Sequence, residues 1–442
     1  MAVGLRHFGS QSLLGALSRS VLTIIVLALA ACQSSPLVAD QPLQAGETLK
    51  LGVLLPESGP YSRAGKPMLS ALLQLRDTVN ACGGVNQAPI SLVIYDAAAD
   101  RDGGEAGMRY LINEAEVHGV IAAFERSIAV DTLAIALERG VSVLSPTATA
   151  TITPRRRLPL DGWGQLNLTE VQQARALAKL AIVREWRSAR LLVSNTVSGL
   201  RFEKAFAQAF TALGGTARSE DTLRYVNPLA NRNERLGNPN AAALTAPEIV
   251  AALAGADVLV AALDSPQGYQ LLTDTLAARA VPTLLADNIA LPAFGATRRP
   301  VPDSQRPYSL STVLGISAAT TPESLQPLRD RWKQLGLTWG RYTPQAWDAA
   351  ALFVLAAAAA GRNSRSGIKS KLKAVSNSPG VSVTSVCTGL VHLREGVMIN
   401  YQGASSSVDL ATSGQLVVSD QYDLWRISES GQWAQQDRIT LP

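Results

Sequence analysis

Short runs of aliphatic and β-branched residues alternate with segments of helical apolar spacing through most of this 442-residue chain. Leu49–Leu55 predicts a first strand. After Pro67, four apolar residues recur at helical spacing, namely Met68, Leu72, Leu75 and Val79. Such alternation is typical of βαβ units, in which helices flank a mostly parallel sheet. It therefore constrains the chain to an α/β fold.

The alternation continues and then starts again near residue 166. Further strands of the first series are predicted at Ile90–Tyr95, Val120–Phe124 and Val141–Leu144, with a helix over Met108–Val117. The second series has strands at Leu191–Val193, Asp257–Ala262 and Thr283–Leu285. Its helices are predicted over Val171–Val183, around Phe202, Phe206 and Phe210, after the capping-box sequence Thr245–Glu248, and over Gln267–Ala278. Two series of this kind predict two α/β lobes rather than one.

The N-terminus has the pattern of an export signal. Arg6 and Arg19 precede an apolar run, Val21–Ala31, that is shorter than the roughly 20 residues a membrane span needs. The run ends in Leu29-Ala30-Ala31-Cys32, which resembles the bacterial lipobox. This resemblance implies cleavage before Cys32 and acylation of its thiol, with residues 1–31 as signal peptide and 32–48 as a lipid-anchored tether on the outer side of the membrane. The alternative is an ordinary signal with a cysteine there by chance.

Charge and cysteine content narrow the remaining possibilities. The formal charge of +5 falls to +3 once Arg6 and Arg19 are removed, and no basic block exceeds Arg155–Arg157, so nucleic acid is not an expected partner. Cys82 and Cys387 then remain in an oxidising compartment, where a structural disulfide between them is expected. Two buried free thiols are the alternative.

Seven short motifs carry a resemblance to a known family. They are Leu54–Pro60, Asn80–Asn86, Ser145–Thr149, Leu284–Asp287, Trp347–Ala350, Ile399–Ser405 and Tyr422–Trp425. In this order they resemble the amino-acid-type solute-binding proteins of bacterial ABC transporters, the leucine/isoleucine/valine-binding proteins with the type I periplasmic binding fold. The resemblance implies two lobes, each a mostly parallel sheet flanked by helices, joined by several crossings. It implies lobe 1 over 49–165 and 315–395, and lobe 2 over 166–314 and 396–442.

The same resemblance implies ligand-binding positions in the first lobe. Family members place a Ser-Ser pair, which holds the ligand carboxylate, where this chain has Glu125-Arg126-Ser127. We expect Arg126 and Ser127 to take that place, because a guanidinium binds a carboxylate through paired hydrogen bonds. The family's Ser-Pro-x-x-Thr turn is present with Thr147 and Thr149. An exposed Arg126 paired with a neighbouring carboxylate, and locally bonded threonines, are the alternatives.

Three further positions come from the rest of the chain. Ser198 stands where relatives often have an aromatic lid, Asp287 is the candidate partner of a ligand ammonium, and Trp347 is expected to line the cleft. A plain strand-end carboxylate and a core tryptophan are the alternatives at the last two. The expected ligand is an amino acid or short peptide.

Sequence motifs for catalysis are absent, since the chain has no G-x-S-x-G, no P-loop and no Cys/His cluster. We therefore expect no enzymatic activity, no cofactor and no metal site. The predicted function is capture of a small zwitterionic or carboxylate solute and its delivery to an ABC permease. The alternative is an envelope lipoprotein that keeps this fold as a regulator or sensor of a partner protein.

Overall fold

The structure, a computed structural model, describes residues 47–97, 101–123, 126–152, 160–228, 230, 235–237, 243–288, 291–292, 312–427 and 433–441. For residues 101, 126–131, 433, 435 and 436 the description covers the backbone alone. The predicted signal, Cys32 and its tether, and Glu125, lie outside the described residues. Within the described residues, no helix is both long and apolar enough to cross a membrane.

The first lobe is built on a five-stranded parallel sheet in the order β2-β1-β3-β4-β5. Its strands are β1 (Leu49–Leu55), β2 (Ile90–Asp96), β3 (Gly119–Ala122), β4 (Ser142–Ser145) and β5 (Trp163–Gln165). Helices α1 (Ser62–Ala81), α2 (Arg101–Asn113) and α3 (Arg126–Glu138) form the connections. In such a sheet all the strands end at the same edge, where open α/β folds bind their ligands.

The second lobe contains a seven-stranded sheet in the order β14-β13-β10-β9-β8-β6-β7. Its parallel part comprises β6 (Ala189–Ser194), β7 (Leu223–Tyr225), β8 (Val258–Ala262), β9 (Thr283–Leu285) and β10 (Val313–Ala318), and its antiparallel edge comprises β13 (Gln421–Ile427) and β14 (Trp433–Thr440). The helices of this lobe are α4 (Glu170–Val183), α5 (Val197–Ala212), α6 (Ala246–Ala252) and α7 (Pro266–Ala278).

Between β10 and β13 the chain returns to the first lobe. This part comprises α8 (Pro322–Gln334), α9 (Thr343–Ala359), α10 (Arg365–Ser376), β11 (Val381–Val383), α11 (Val386–Arg394) and β12 (Ile399–Tyr401). Helix α9 packs against α1, α10 and α11, and its alanine-rich surface is buried on nearly every side, as expected for a helix that is apolar all round. The lobe boundaries predicted from the sequence remain a proposal. Strand β10 (Val313–Ala318) spans the predicted boundary between residues 314 and 315.

Most of the predicted elements are confirmed, and the differences have local causes. β1 and β9 have the predicted bounds, and Thr245 and Glu248 form the predicted capping box. Helix α2 begins at Arg101 rather than Met108, because Gly103, Gly104 and Gly107 weaken the helical pattern of its first turns in the sequence. Gly107 also lets the helix pack directly on Tyr95 of β2, where a Cβ atom would lie 2.5 Å from the ring. Helix α3 was not predicted.

The predicted cysteine pair is close in space. Cys82 follows α1 and Cys387 lies in α11, with their Cα atoms 5.9 Å apart and their sulfur atoms at bonding distance. The two residues are 305 positions apart in sequence, so a disulfide here joins the start of the first lobe to its returning segment.

Thiol labelling tests this disulfide. In a Cys32→Ala background, the unfolded and unreduced protein should show no reactive thiol, and reduction should expose two. Replacing both cysteines by serine should lower the free energy of unfolding by up to about 5 kcal/mol, because the closed loop is long. Two reactive thiols before reduction would contradict the pairing.

Candidate ligand-binding cleft

A cleft of about 50 Å³ lies where the carboxyl ends of four strands meet. Residues 147–150 follow β4, Ser194 ends β6, Ala262 ends β8 and is followed by residues 263–264, and residues 286–288 follow β9. The cleft is thus bounded by both lobes and sits at the edge where the strand-end rule predicts a ligand. Four of the predicted site residues line it: Thr147, Thr149, Ser198 and Asp287.

The turn after β4 contributes hydroxyl and carbonyl groups. Ser145 accepts the backbone N–H of Ala148 at 3.1 Å, which fixes the turn, and Thr147 is 1% exposed. The carbonyl of Thr149 accepts the backbone N–H of Glu170 at 2.6 Å, whereas its hydroxyl makes no hydrogen bond with the described residues. Thr149 therefore lines the cleft with a hydroxyl that has no hydrogen-bond partner among the described residues.

The N-terminus of α5 forms the facing wall. Thr196 caps the helix by accepting the Gly199 N–H at 3.2 Å, and Ser198 lies in the first turn. Gly199 is required here, because a Cβ atom would lie 2.1 Å from the Ser194 carbonyl oxygen. The close approach brings the Ser198 side chain and the N-terminal end of the helix dipole to the cleft, a polar environment that accepts negative charge.

Asp287 lines the cleft, but its carboxylate already has partners within the protein. Arg341 Nη2 donates to Oδ2 at 2.8 Å and Tyr342 Oη donates to Oδ1 at 2.7 Å. Burial raises the pKa of Tyr342 well above its usual value, and the charge of Asp287 raises it further, so Tyr342 remains a donor. Asp287 therefore joins β9 of one lobe to the start of α9 in the other. A ligand ammonium near Asp287 would meet a carboxylate that is already paired with Arg341.

Asp264, which the sequence analysis missed, is the other carboxylate of the cleft. Its oxygens accept hydrogen bonds from the side chains of Ser194 (2.7 Å), Thr196 (3.2 Å), Tyr225 (2.7 Å) and Asn227 (2.8 Å). All four donors are neutral, and no cation among the described residues is a cause of its pKa shift. The signal was present, because Asp264 lies two residues after the end of the predicted strand Asp257–Ala262.

Burial controls the ionisation of Asp264. Desolvation raises the pKa of this carboxyl above its ordinary value, although the four hydrogen bonds act in the opposite direction. Because the folded pKa lies above the unfolded one, ionisation costs stability at a pH above the folded pKa, and the cost is relieved as the pH falls through it. A cation placed next to Asp264 would relieve the same cost.

Several hydrogen bonds hold the two lobes together around the cleft. Thr151 of the first lobe donates its N–H to Glu170 Oε2 at 2.7 Å and accepts from Arg201 Nη1 at 2.7 Å. On the other side, Tyr61 Oη donates to the carbonyl of Asp264 at 3.3 Å. The lobes are therefore in contact on both sides of the ligand position, as in a closed arrangement.

The remaining predicted residues lie elsewhere or are described in part. Arg126 and Ser127 form the first turn of α3 after β3, at the sheet edge that carries Thr149, and their side chains lie outside the described residues. Trp347 is not among the described residues lining the cleft. Its ring packs edge-on against Trp332, with centroids 6.2 Å apart.

Comparison with known proteins identifies this architecture. The family model described as "periplasmic binding protein" matches residues 48–388. The chain belongs to the periplasmic binding protein family. Members of this family are solute-binding proteins that work outside the cytoplasm, and many serve ABC transporters.

Two curated relatives are informative. The chain is 27% identical over 404 residues to the chemotactic signal transduction system substrate-binding protein BasB of Halobacterium salinarum, with 88% of this chain and 89% of the relative covered. It is also 31% identical to the leucine-, isoleucine-, valine-, threonine- and alanine-binding protein of Pseudomonas aeruginosa. That match spans 108 residues, 24% of this chain and 28% of the relative.

Solved structures share the fold at low sequence identity. The leucine-binding protein LivK of Thermotoga maritima has a TM-score of 0.65 at 14% identity, covering 89% of this chain and 99% of its own. A solute-binding protein of an ABC transporter from R. palustris, solved with benzoate, has a TM-score of 0.64 at 18% identity, covering 90% and 97%. The isoleucine-bound LivJ of Streptococcus pneumoniae has a TM-score of 0.63 at 15% identity, covering 90% of this chain and 100% of its own. The fold is therefore the two-lobed type I periplasmic binding fold.

The pairing of Arg341 with Asp287 predicts a large effect on stability. Their side chains are 13% and 1% exposed, so Arg341→Met leaves a buried charge without its cation and should lower the free energy of unfolding by about 3 kcal/mol. Adding Asp287→Asn should recover part of the loss. Urea unfolding measures both, with the exposed Arg426→Met as control. A loss below about 0.5 kcal/mol for Arg341→Met would show that the pair does not contribute to stability.

Proposed function

We propose that this protein is a lipid-anchored solute-binding protein that captures an amino acid or a similar small zwitterionic solute between its lobes and delivers it to an ABC permease. The observation that carries the proposal is the composition of the cleft. The first lobe offers the Thr149 hydroxyl, and the facing wall, at the N-terminus of α5, offers the Asp264 carboxylate. Separated groups of this kind match the two ends of a zwitterion.

Asp264 is the group that we propose for the ligand ammonium. Both oxygens of Asp287 are bonded to Arg341 and Tyr342, whereas Asp264 is surrounded by neutral donors. A buried carboxylate without a cation gains most from an ammonium, because burial weakens the screening of the attraction. In this proposal Asp287 holds the lobes in position and Asp264 recognises the charge.

Arg126 is the group that we propose for the ligand carboxylate, together with Thr149. Helix α3 begins at Arg126 on the same sheet edge as the turn that carries Thr149, which supports the assignment by position. A guanidinium and a hydroxyl together satisfy both oxygens of a carboxylate. Ser198, in place of an aromatic lid, leaves room for a polar side chain on the ligand.

Calorimetric titration of the mature protein with amino acids and short peptides tests the ligand class. A zwitterion should bind, and Asp264→Asn should weaken it at least 30-fold, because a charge-assisted contact of about 2 kcal/mol is lost. The same variant should leave thermal stability unchanged or raised, since the buried charge is removed. Asp274→Asn, which alters an exposed carboxylate on α7, is the matched control.

Titration of the Arg126→Ala variant tests the contact proposed for the ligand carboxylate. If a zwitterion binds and both Asp264→Asn and Arg126→Ala leave its affinity within about twofold, the assignment of the two charged contacts is wrong. If no amino acid or peptide binds, the amino-acid part of the proposal fails, while membership of the family stands.

Anchoring through Cys32 has its own test. Cys32→Ala should release the protein from the membrane fraction while its circular dichroism spectrum and thermal midpoint remain those of wild type, because acyl chains supply the attachment and take no part in the fold. Fractionation of cells that express each form, with Cys82→Ser as a control that keeps the lipobox, measures this. Equal membrane recovery of Cys32→Ala would contradict the lipid anchor.

A second candidate function is that of a receptor whose bound solute is reported to a signalling or regulatory partner of the envelope. The match to a chemotactic substrate-binding protein, which covers 88% of this chain, favours it. Crosslinking in the native membrane, with and without the ligand, separates the two functions. Capture of a permease supports transport, and capture of a signalling or cell-envelope protein supports the receptor.

A further inference from the structure

The size of the ligand cleft limits what the protein can bind. A volume of about 50 Å³ holds roughly three to five water molecules, because one water needs about 10–15 Å³. The lobes are already in contact around this space, since Arg201 donates to the Thr151 carbonyl at 2.7 Å and Tyr61 to the Asp264 carbonyl at 3.3 Å. The volume is therefore that of a closed cleft, and a bound ligand has to fit within it.

Small residues line much of the cleft, and they cannot move aside for a larger ligand. Gly199 already brings the backbone of α5 against the Ser194 carbonyl, where a Cβ atom would lie 2.1 Å away. An alanine side chain has no alternative rotamer, so widening the cleft at an alanine requires the strand-end backbone to move. The alanines that line the cleft are Ala148, Ala150, Ala262 and Ala286.

The longer polar side chains of the cleft are held by hydrogen bonds. Gln173 accepts the Asp287 N–H at 2.6 Å and donates to its carbonyl at 3.0 Å. Glu170 accepts the Thr151 N–H at 2.7 Å, and Asn288 donates to a backbone carbonyl that follows β8. A side chain that turned away from the cleft would leave buried groups without partners, which is costly. These walls therefore keep the cleft small.

Phe202 is the one aromatic side chain among the described residues that line the cleft. It is 1% exposed, and its ring stacks on Phe206 with centroids 6.3 Å apart and planes at 12°. Phe206 packs in turn against Phe210, with centroids 5.2 Å apart. The core of the second lobe thus holds the Phe202 ring in the wall of the cleft, and a smaller side chain there would enlarge the cleft toward α5.

Ser198 adds a hydroxyl to the same wall. It lies in the first turn of α5, lines the cleft and makes no hydrogen bond through its hydroxyl with the described residues. Residues four positions apart share one face of a helix, so Ser198 and Phe202 bound the same part of the cleft. A ligand side chain in this part meets a hydroxyl next to an aromatic wall, which suits a short hydroxylated group.

We propose that the cleft selects a small hydroxylated amino acid, of which serine is the representative, and excludes branched and aromatic amino acids. The ligand hydroxyl binds Ser198, and Phe202 sets the size limit. This inference rests on the proposed function, in which Asp264 binds the ammonium and Arg126 binds the carboxylate together with Thr149. It adds the ligand side chain, which those contacts leave undetermined.

Calorimetric titration of the mature protein with serine, alanine and leucine tests the selection. Serine should bind about fivefold tighter than alanine, because it adds one hydrogen bond. Leucine should bind at least about 30-fold more weakly than alanine, because extra methyl groups overfill a cleft whose walls are fixed. Ser198→Ala should make the affinities for serine and alanine equal, since the partner of the ligand hydroxyl is removed.

Phe202→Ala tests the size limit. It should improve leucine binding relative to alanine about tenfold, because the truncated ring leaves room for the leucine side chain. Phe210→Ala, which truncates a buried ring of the same helix outside the described cleft lining, is the matched control and should keep the wild-type ratio. Phe202→Val removes less buried surface and gives the same test if the alanine variant does not fold.

The outcomes separate this inference from the proposed function. If no amino acid binds, the proposed function fails and this inference fails with it. Leucine binding as tightly as serine in the wild-type protein would overturn this inference alone, because the zwitterion would still be recognised. The same holds if Ser198→Ala keeps the preference for serine, or if Phe202→Ala and Phe202→Val keep the wild-type ratio of alanine to leucine.

Discussion

The carboxylate of Asp287 is the contact on which the relation between the two lobes depends. It lies at the end of β9, and it receives Arg341 and Tyr342 from the start of α9, on the returning segment. Its backbone is fixed as well, because Gln173 accepts its N–H at 2.6 Å and donates to its carbonyl at 3.0 Å. A carboxylate that is 1% exposed is costly unless such partners are present, so the need to satisfy it favours the arrangement of the lobes in which Arg341 and Tyr342 reach Asp287.

Arg341 has a second contact besides Asp287. It binds Asp287 with one nitrogen, and its guanidinium carbon lies 5.3 Å from the centre of the Trp425 ring. The same side chain therefore links a residue of the ligand cleft to strand β13. Helix α9 begins two residues after Arg341 and is buried against α1. The packing of the first lobe's core therefore determines where Arg341 lies.

The sequence predicted the features that depend on short stretches of chain. Strand β1 and the Thr245 capping box follow from local pattern, and the resemblance of the Ser145–Thr149 turn to the family's turn predicted that Thr149 lines the cleft. Helix α3 was missed because its apolar residues do not concentrate on one face, so the helical periodicity that reveals other helices is weak there.

The partners of the site residues could not be predicted in the same way. Arg341 is 54 positions from Asp287, and nothing in either neighbourhood selects the other. Their pairing is decided by how the returning segment docks on the second lobe. Trp347 shows the same limit, because its motif resembles the family while its ring faces Trp332.

Asp264 shows why two carboxylates in one cleft take different roles. A salt bridge places an opposite charge next to Asp287, so its charge is neutralised within the protein. The hydroxyls and the amide around Asp264 stabilise its ionised form by hydrogen bonding but carry no net charge, and the field of the carboxylate therefore extends into the cleft. Orientation is supplied as well, because Tyr225 also accepts the Asp264 N–H at 3.0 Å and so fixes side chain and backbone together. In the proposed function, this fixed carboxylate, which has no cationic partner among the described residues, recognises the ligand ammonium, whereas the paired Asp287 has a structural role.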